Sequence, residues 1–170
     1  AAPVSSSRRS ATSRQPAASP RLRRVCTSET SASGVRNQPA GAASVQGLTA
    51  QILHAGFRGA HDTYNSLSAA SDGRIYYVLC STSIDFGGRV FRYDPAADAV
   101  VCLGDLTEIC GEKGRRAVPQ GKSHVLFQEY QGRLYFATHA GYYNLVDGME
   151  RLATVVPEGY QPYPGGHLLT

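Results

Sequence analysis

The chain lacks several features that mark common protein classes. Its 170 residues include no tryptophan and one methionine. No apolar run reaches the length that a signal peptide or a membrane span needs, so neither is predicted. The four cysteines, Cys26, Cys80, Cys102 and Cys110, form no CxxC pair or other zinc-ligand spacing. A disulfide between Cys80 and Cys102 stays open.

Acidic residues are nearly absent from residues 1–46, which hold seven arginines against one glutamate, a net charge of +6. Large apolar side chains are also scarce there, so burial cannot offset the entropy of ordering, and we predict a disordered basic leader. It resembles an organellar transit peptide; the interpretation we favour is an artefact or the translated upstream edge of an incomplete gene. Residues 47–170 carry ten basic and twelve acidic side chains. The pI of about 9.0 therefore belongs to the leader, and no nucleic-acid partner is expected.

From residue 61 onward the sequence shows short runs of β-branched and aromatic residues between turn signals, which is typical of strands. Asp72-Gly73 and the segment 94–98, with Asp and Pro, predict turns. Residues 47–60 fit a linker, the edge of a preceding unit or a short helix, and these alternatives stay open. Strands are predicted over 74–80, 88–93, 99–103, 123–130 and 133–139.

The strand pattern repeats along the chain. Residues 72–77 align with residues 131–136 at a spacing of 59, and residues 87–92 align with residues 165–170 at a spacing of 78. The later copy therefore carries 19 extra residues between its second and third strands. Repeats of short strands at such periods favour an all-β fold of the propeller type.

The order Gly73-Arg74-Ile75-Tyr76-Tyr77, then Gly87-Gly88-Arg89-Val90-Phe91, then a strand ending at Gly104-Asp105, resembles a kelch-type blade. The usual late tryptophan is missing, and the double glycine precedes the third strand. Bacterial propellers of the pyrroloquinoline-quinone-like and oligogalacturonate-lyase-like groups are equally similar. The resemblance implies an incomplete β-propeller of about two blades, a first blade over 61–106 and a truncated second blade over 107–170, with the remaining blades missing from this chain.

Blade connectivity orders the histidines. Antiparallel strands place alternate loops on opposite faces of the disc, so four histidines map to one face, which we call the rim. His54 is the exception. The rim histidines are His61, His124, His139 and His167.

The two long loops, 105–122 and 140–164, reach the same rim. Long loops on a rigid β scaffold are the usual place for a binding site, and tyrosine suits stacking on sugars or holding peptides. The candidate ligand-binding residues are Gln120, Lys122, Tyr142, Tyr143, Tyr160 and Tyr163.

Two functions from different classes follow. The first is a module that binds a carbohydrate or protein ligand on the rim. The second, implied by the oligogalacturonate-lyase-like resemblance, is a metal-assisted carbohydrate-active lyase or hydrolase. There His61, His124, His139 and His167 would hold a divalent metal. A second interpretation of the histidines is that His124 or His139 is instead a general acid or base. Structural histidines are the third interpretation. A periplasmic or secreted location follows only by analogy.

Overall fold

A computed structural model describes residues 44–45, 48–153 and 155–170. The predicted disordered leader lies outside the described residues except at Ser44 and Val45, which form a short strand. The described part consists mainly of short antiparallel strands in several small sheets, with one four-residue helix. The prediction of an all-β chain is confirmed.

The structure contains thirteen short strands and one short helix over the described residues. In chain order they are β1 (Ser44–Val45), β2 (Leu48–Thr49), β3 (Leu67–Ala69), β4 (Ile75–Leu79), β5 (Arg89–Asp94), β6 (Ala99–Asp105), α1 (Leu106–Ile109), β7 (Gln120–Lys122), β8 (Gln128–Tyr130), β9 (Arg133–Ala137), β10 (His139–Ala140), β11 (Tyr143–Val146), β12 (Met149–Leu152) and β13 (Leu168–Leu169).

The first sheet is a four-stranded antiparallel meander in the order β3-β4-β5-β6. Its turns have the chemistry that the sequence predicts. Asp72 Oδ1 accepts from the Arg74 amide at 3.0 Å, and Asp94 Oδ1 accepts from the Ala96 amide at 3.1 Å. Short carboxylate side chains that bond to the backbone two residues on stabilise such turns. Arg74 Nε also donates to Asp94 Oδ2 at 2.9 Å, which joins the two turns.

The second sheet has three antiparallel strands in the order β13-β9-β8. The register of β9 with β13 repeats that of β4 with β5. Tyr77 pairs with Phe91 in the first sheet, and the residues aligned with them, Phe136 and Leu169, pair in the second. The segment between β9 and β13, where the two spacings place the extra residues, contains the hairpin β11-β12.

The two sheets share one hydrophobic core. Val78, Cys80 and Val90 of the first sheet cluster with Phe127 and Phe136 of the second. Polar contacts between aligned positions accompany this packing. Ser66 Oγ donates to the Val125 carbonyl, and the Phe127 amide donates to Ser68 Oγ, each at 3.0 Å and each between residues 59 apart. Positions that the 59-residue alignment pairs therefore touch.

The structure revises one predicted strand and decides between the alternatives for residues 47–60. The predicted strand over 123–130 forms only at Gln128–Tyr130. The helix considered within 47–60 is absent from the described residues there, which form the strand Leu48–Thr49 and then irregular backbone.

Cys80 and Cys102 are both free thiols. Cys102 is the register partner of Phe91, which pairs with Tyr77, so these three side chains share one face of the first sheet. Cys80 lies three residues beyond Tyr77 and therefore points to the opposite face. A bridge between the two cysteines is excluded by this geometry.

The part of the chain that the structure describes contains no helix whose length and apolar composition would let it span a bilayer.

Candidate functional site

A column of aromatic rings lies where β7 and β10 meet. The ring of His124 stacks with Tyr64 at a centroid distance of 4.4 Å and with His139 at 4.7 Å. Tyr163 continues the column at 6.2 Å from His139. We call Tyr64, His124, His139 and Tyr163 the ring column. It brings together two of the predicted histidines and one predicted tyrosine.

Pairing of β7 with β10 explains why the two histidines meet. His139 is the register partner of Lys122, the residue two before His124. The strands approach closely because Gly121 faces Gly141: a Cβ on either glycine would collide with the Cα of the other. The Gly121 carbonyl also accepts from the Ser81 amide at 2.8 Å, which attaches this pair to the end of the first sheet.

Lys122 is completely buried beneath the column. Its ammonium donates to Tyr64 Oη at 2.9 Å and lies 4.2 Å from the centroid of the Tyr143 ring. Asp62 Oδ2 lies 3.8 Å away and also contacts His61 Nδ1. Cation–π contact, a charge-assisted hydrogen bond and a nearby carboxylate together compensate the loss of water around a buried ammonium.

Gln120 is also completely buried, in a second polar cluster. Its amide nitrogen donates to Glu112 Oε2 at 2.9 Å, and its carbonyl accepts from Tyr163 Oη at 2.8 Å. Glu112 Oε1 lies 2.8 Å from His167 Nε2. This cluster fixes the two long loops to each other, and burial raises the pKa of Tyr163 to about 12, so its hydroxyl is a hydrogen-bond donor at neutral pH.

Lys122 and Gln120, which the sequence predicts as ligand-binding residues, are both buried. Neither side chain reaches solvent; each holds other residues of the rim in place. Their inward orientation depends on the pairing of β7 with β10, which the sequence pattern does not predict.

The predicted tyrosines separate into two groups. Tyr143 and Tyr163 lie at the ring column, and Tyr143 Oη is 3.3 Å from His139 Nδ1. Tyr160 instead donates to Asp85 Oδ1 at 2.6 Å and stacks under Arg116, so it fastens the 155–163 segment. Tyr142 is half-buried at the start of the inserted hairpin.

The structure does not bring the four histidines of the predicted metal site together as one group. His124 and His139 stack on each other, His61 pairs with Asp62, and His167 pairs with Glu112. Within residues 44–45, 48–153 and 155–170, no group of three or more histidine, cysteine, aspartate or glutamate side chains converges as metal ligands do. The four histidines therefore form separate contacts and share no single ligand set in the part of the chain that the structure describes.

His124 is the most available polar group of the column. It is exposed, and neither ring nitrogen makes a hydrogen bond to the described residues. Partial burial lowers its pKa below the usual 6.5, and the neighbouring His139 and the Lys122 ammonium lower it further. The ring is therefore neutral at pH 7, with one donor and one acceptor nitrogen.

Sequence reasoning missed Tyr64, Asp62 and Glu112. Tyr64 is exposed by 48% and precedes Asn65, the residue aligned with His124. Extending that alignment by one position would have placed Tyr64 at the rim. Asp62 and Glu112 carry no such signal, because their roles depend on contacts with residues far away in sequence.

No protein-family model, curated protein or solved structure matches this chain.

Proposed function

We propose that the chain is part of a β-propeller whose rim binds a carbohydrate at the ring column. The propeller is supported by the contacts between aligned positions. Units related by rotation about a common axis bring their equivalent inner strands side by side, and the pairs Ser66–Val125 and Ser68–Phe127 have this relation. The identical pairing of Tyr77 with Phe91 and of Phe136 with Leu169 supports the same arrangement.

The main support for this binding site is that His124 is exposed and carries no charge at pH 7. An exposed neutral imidazole with two unused ring nitrogens, stacked on Tyr64 and His139, offers a donor and an acceptor in a fixed direction. Fixed polar groups lose little conformational entropy when a ligand binds. The buried Lys122 supports Tyr64 from below, so the column is rigid before a ligand arrives.

A hydroxyl-rich ligand suits this chemistry better than a protein chain. Sugar hydroxyls both donate and accept, as the imidazole edges and the exposed Tyr64 require. Sugar C–H faces also pack on aromatic rings, and Tyr64 has nearly half of its surface open. A protein ligand would favour a large apolar patch at the rim, whereas the column presents ring edges with nitrogen and oxygen atoms.

The test is a titration of the 170-residue chain with neutral and uronic-acid oligosaccharides, followed through the histidine Cε1–H signals in NMR. We expect the signals of His124 and His139 to move in a saturable way with at least one sugar. His124→Ala and His139→Ala should abolish saturation. His54→Ala is the matched control, since His54 is exposed and lies outside the rim.

The carbohydrate proposal fails if no histidine signal moves, or if His54→Ala weakens binding as much as His124→Ala. Saturable shifts produced by a peptide ligand and by no sugar would favour a protein-binding module instead.

A second function, general-base catalysis by His124, is favoured by its lowered pKa. A neutral imidazole at pH 7 accepts a proton from a substrate C–H or O–H group, and His139 beside it then disfavours the protonated ring. With a sugar that binds, the rate of product formation should fall on acidification with a single ionisation below pH 6.5. His124→Ala should form no product. If His124→Ala retains turnover, His124 is not the base.

A further inference from the structure

One face of the second sheet is apolar and open. It carries Tyr135, Ala137 and Leu168, and 76% of the surface of Leu168 is accessible to solvent. We call these three residues the open face. It borders an open groove of about 600 Å³ that Val125, Leu126 and His124 also line.

The corresponding face of the first sheet is covered. The alignment pairs Tyr135 with Tyr76, Ala137 with Val78 and Leu168 with Val90. Val78 and Val90 are exposed by 0% and 4% because they share a core cluster with Phe127 and Phe136 of the second copy. Tyr76 lies 6.3 Å from the Phe127 ring in the same packing. What covers this face in the first copy is therefore the next copy of the repeat.

We propose that one further unit of the same repeat packs on the open face, in the way that the second sheet packs on the first. The register of β9 and β13 already matches that of β4 and β5, so the backbone of the open face has the same arrangement as the face that is covered in the first sheet. The polar contacts would differ, because β8 pairs with β9 one residue out of step with β3 and β4, so that Gln128 pairs with Tyr135 where the first copy pairs Ser68 with Tyr76.

This unit also bears on the rim. The groove beside the open face runs up to His124, so the added unit forms a wall next to the ring column. The inference rests on the repeat arrangement proposed above and not on the carbohydrate, so a failure to bind sugars leaves it unaffected.

The experiment extends the chain by its own repeat. Thr170 aligns with Arg92, so a second copy of residues 93–170 joined after Thr170 supplies an outer strand and then one further unit. We expect the extended chain to melt cooperatively at a higher Tm than the 170-residue chain. Leu168→Asp at the original position 168, with the added segment unchanged, should lower the Tm of the extended chain by roughly 5–10 °C, because a charge would be buried without a partner. In the 170-residue chain the same change should leave Tm unaltered.

Leu145→Asp is the matched control. Leu145 is exposed by 77%, nearly the same fraction as Leu168, but it lies on β11 away from the open face. It should leave both chains unchanged. The proposal is overturned if the extended chain melts no higher than the original, or if Leu168→Asp and Leu145→Asp act alike in it. It is also overturned if the 170-residue chain is a dimer in sedimentation that Leu168→Asp dissociates, since a second copy then occupies the face.

Discussion

At the scale of single residues, the environment of His124 determines its charge. Partial burial is the main reason that its pKa lies below 6.5, and His139 and Lys122 add repulsion against a protonated ring. In NMR titrations, we expect the His124 ring to take up its proton only below pH 6.5, and His139→Ala to raise its pKa towards that value. A pKa of His124 that does not change in His139→Ala would contradict the role given to the stacked pair.

The same shift links stability to pH. The unfolded chain protonates His124 at a higher pH than the folded chain does, so between the two pKa values the unfolded state binds more protons. The contribution of His124 to stability is therefore complete above pH 6.5 and is lost as the pH falls through the window below it. Urea unfolding of the parent chain and of His124→Gln across pH 5–7.5 checks the sign. The parent chain should lose more of its stability on acidification than His124→Gln does.

The buried Lys122 is a second residue-scale feature with a measurable consequence. Replacing it by methionine keeps the apolar stem but removes the ammonium from Tyr64 and Asp62. We expect Lys122→Met to cost about 2–3 kcal/mol, less than the usual loss for a broken buried pair because Asp62 is partly exposed and keeps His61. Tyr64→Phe should cost about 1 kcal/mol, since only one hydrogen bond is lost. Equal losses in urea unfolding would show that the ammonium has no separate role.

Residue types on the rim were predictable from sequence, but their exposure was not. Chain connectivity and the 59-residue alignment placed His124 and His139 at the same edge, and their rings do stack. Lys122 and Gln120 lie on the neighbouring strand, where the direction of a side chain depends on which strand pairs with it. That partner is β10, about 17 residues later, and no local pattern reveals it.

At the scale of secondary-structure elements, the strands of the two sheets were the most predictable part. β4, β5, β6 and β9 each fall within two residues of the predicted ranges, because β-branched and aromatic residues alternate between clear turn residues. The predicted strand over 123–130 was too long for a reason that only the tertiary structure supplies. The Val125 carbonyl and the Phe127 amide bond to serine side chains of the first copy, so these backbone groups are not available to a strand ladder.

The pairing of β7 with β10 depends on two glycines. Alanine at Gly121 would place its Cβ 2.6 Å from the Ser81 carbonyl oxygen and into Gly141, so the strands would have to separate. We expect Gly121→Ala to cost about 2–4 kcal/mol, the range of severe backbone and packing clashes, and to remove the His124–His139 contact.

Gly148→Ala is the comparison for Gly121→Ala. Gly148 has a φ of +74° and open space around it, so alanine there should cost only about 1 kcal/mol of backbone strain. Urea unfolding gives both losses, and the histidine NMR signals report the contact. If Gly121→Ala and Gly148→Ala are equally destabilising and both keep the histidine signals, the close approach has no role in building the site.

At the scale of the whole molecule, the shared core makes the two sheets one folding unit. Cys80 belongs to the first sheet but is buried in the cluster that contains Phe127 and Phe136. Burial raises the pKa of the Cys80 thiol to about 12, so it does not react with alkylating reagents while the core is closed. Its alkylation rate consequently reports opening of the interface between the sheets.

Phe136→Ala, a change in the second sheet, should therefore expose a thiol in the first. We expect a loss of about 3–5 kcal/mol, the usual cost of removing a buried phenylalanine side chain, and a faster alkylation of Cys80 by the corresponding factor. Mass spectrometry of the Cys80 peptide separates it from the other cysteines. Leu145→Ala, at an exposed position, should leave the rate unchanged. If Phe136→Ala speeds amide exchange across β8, β9 and β13 while Cys80 stays protected, the two sheets open independently, and the common core does not couple them.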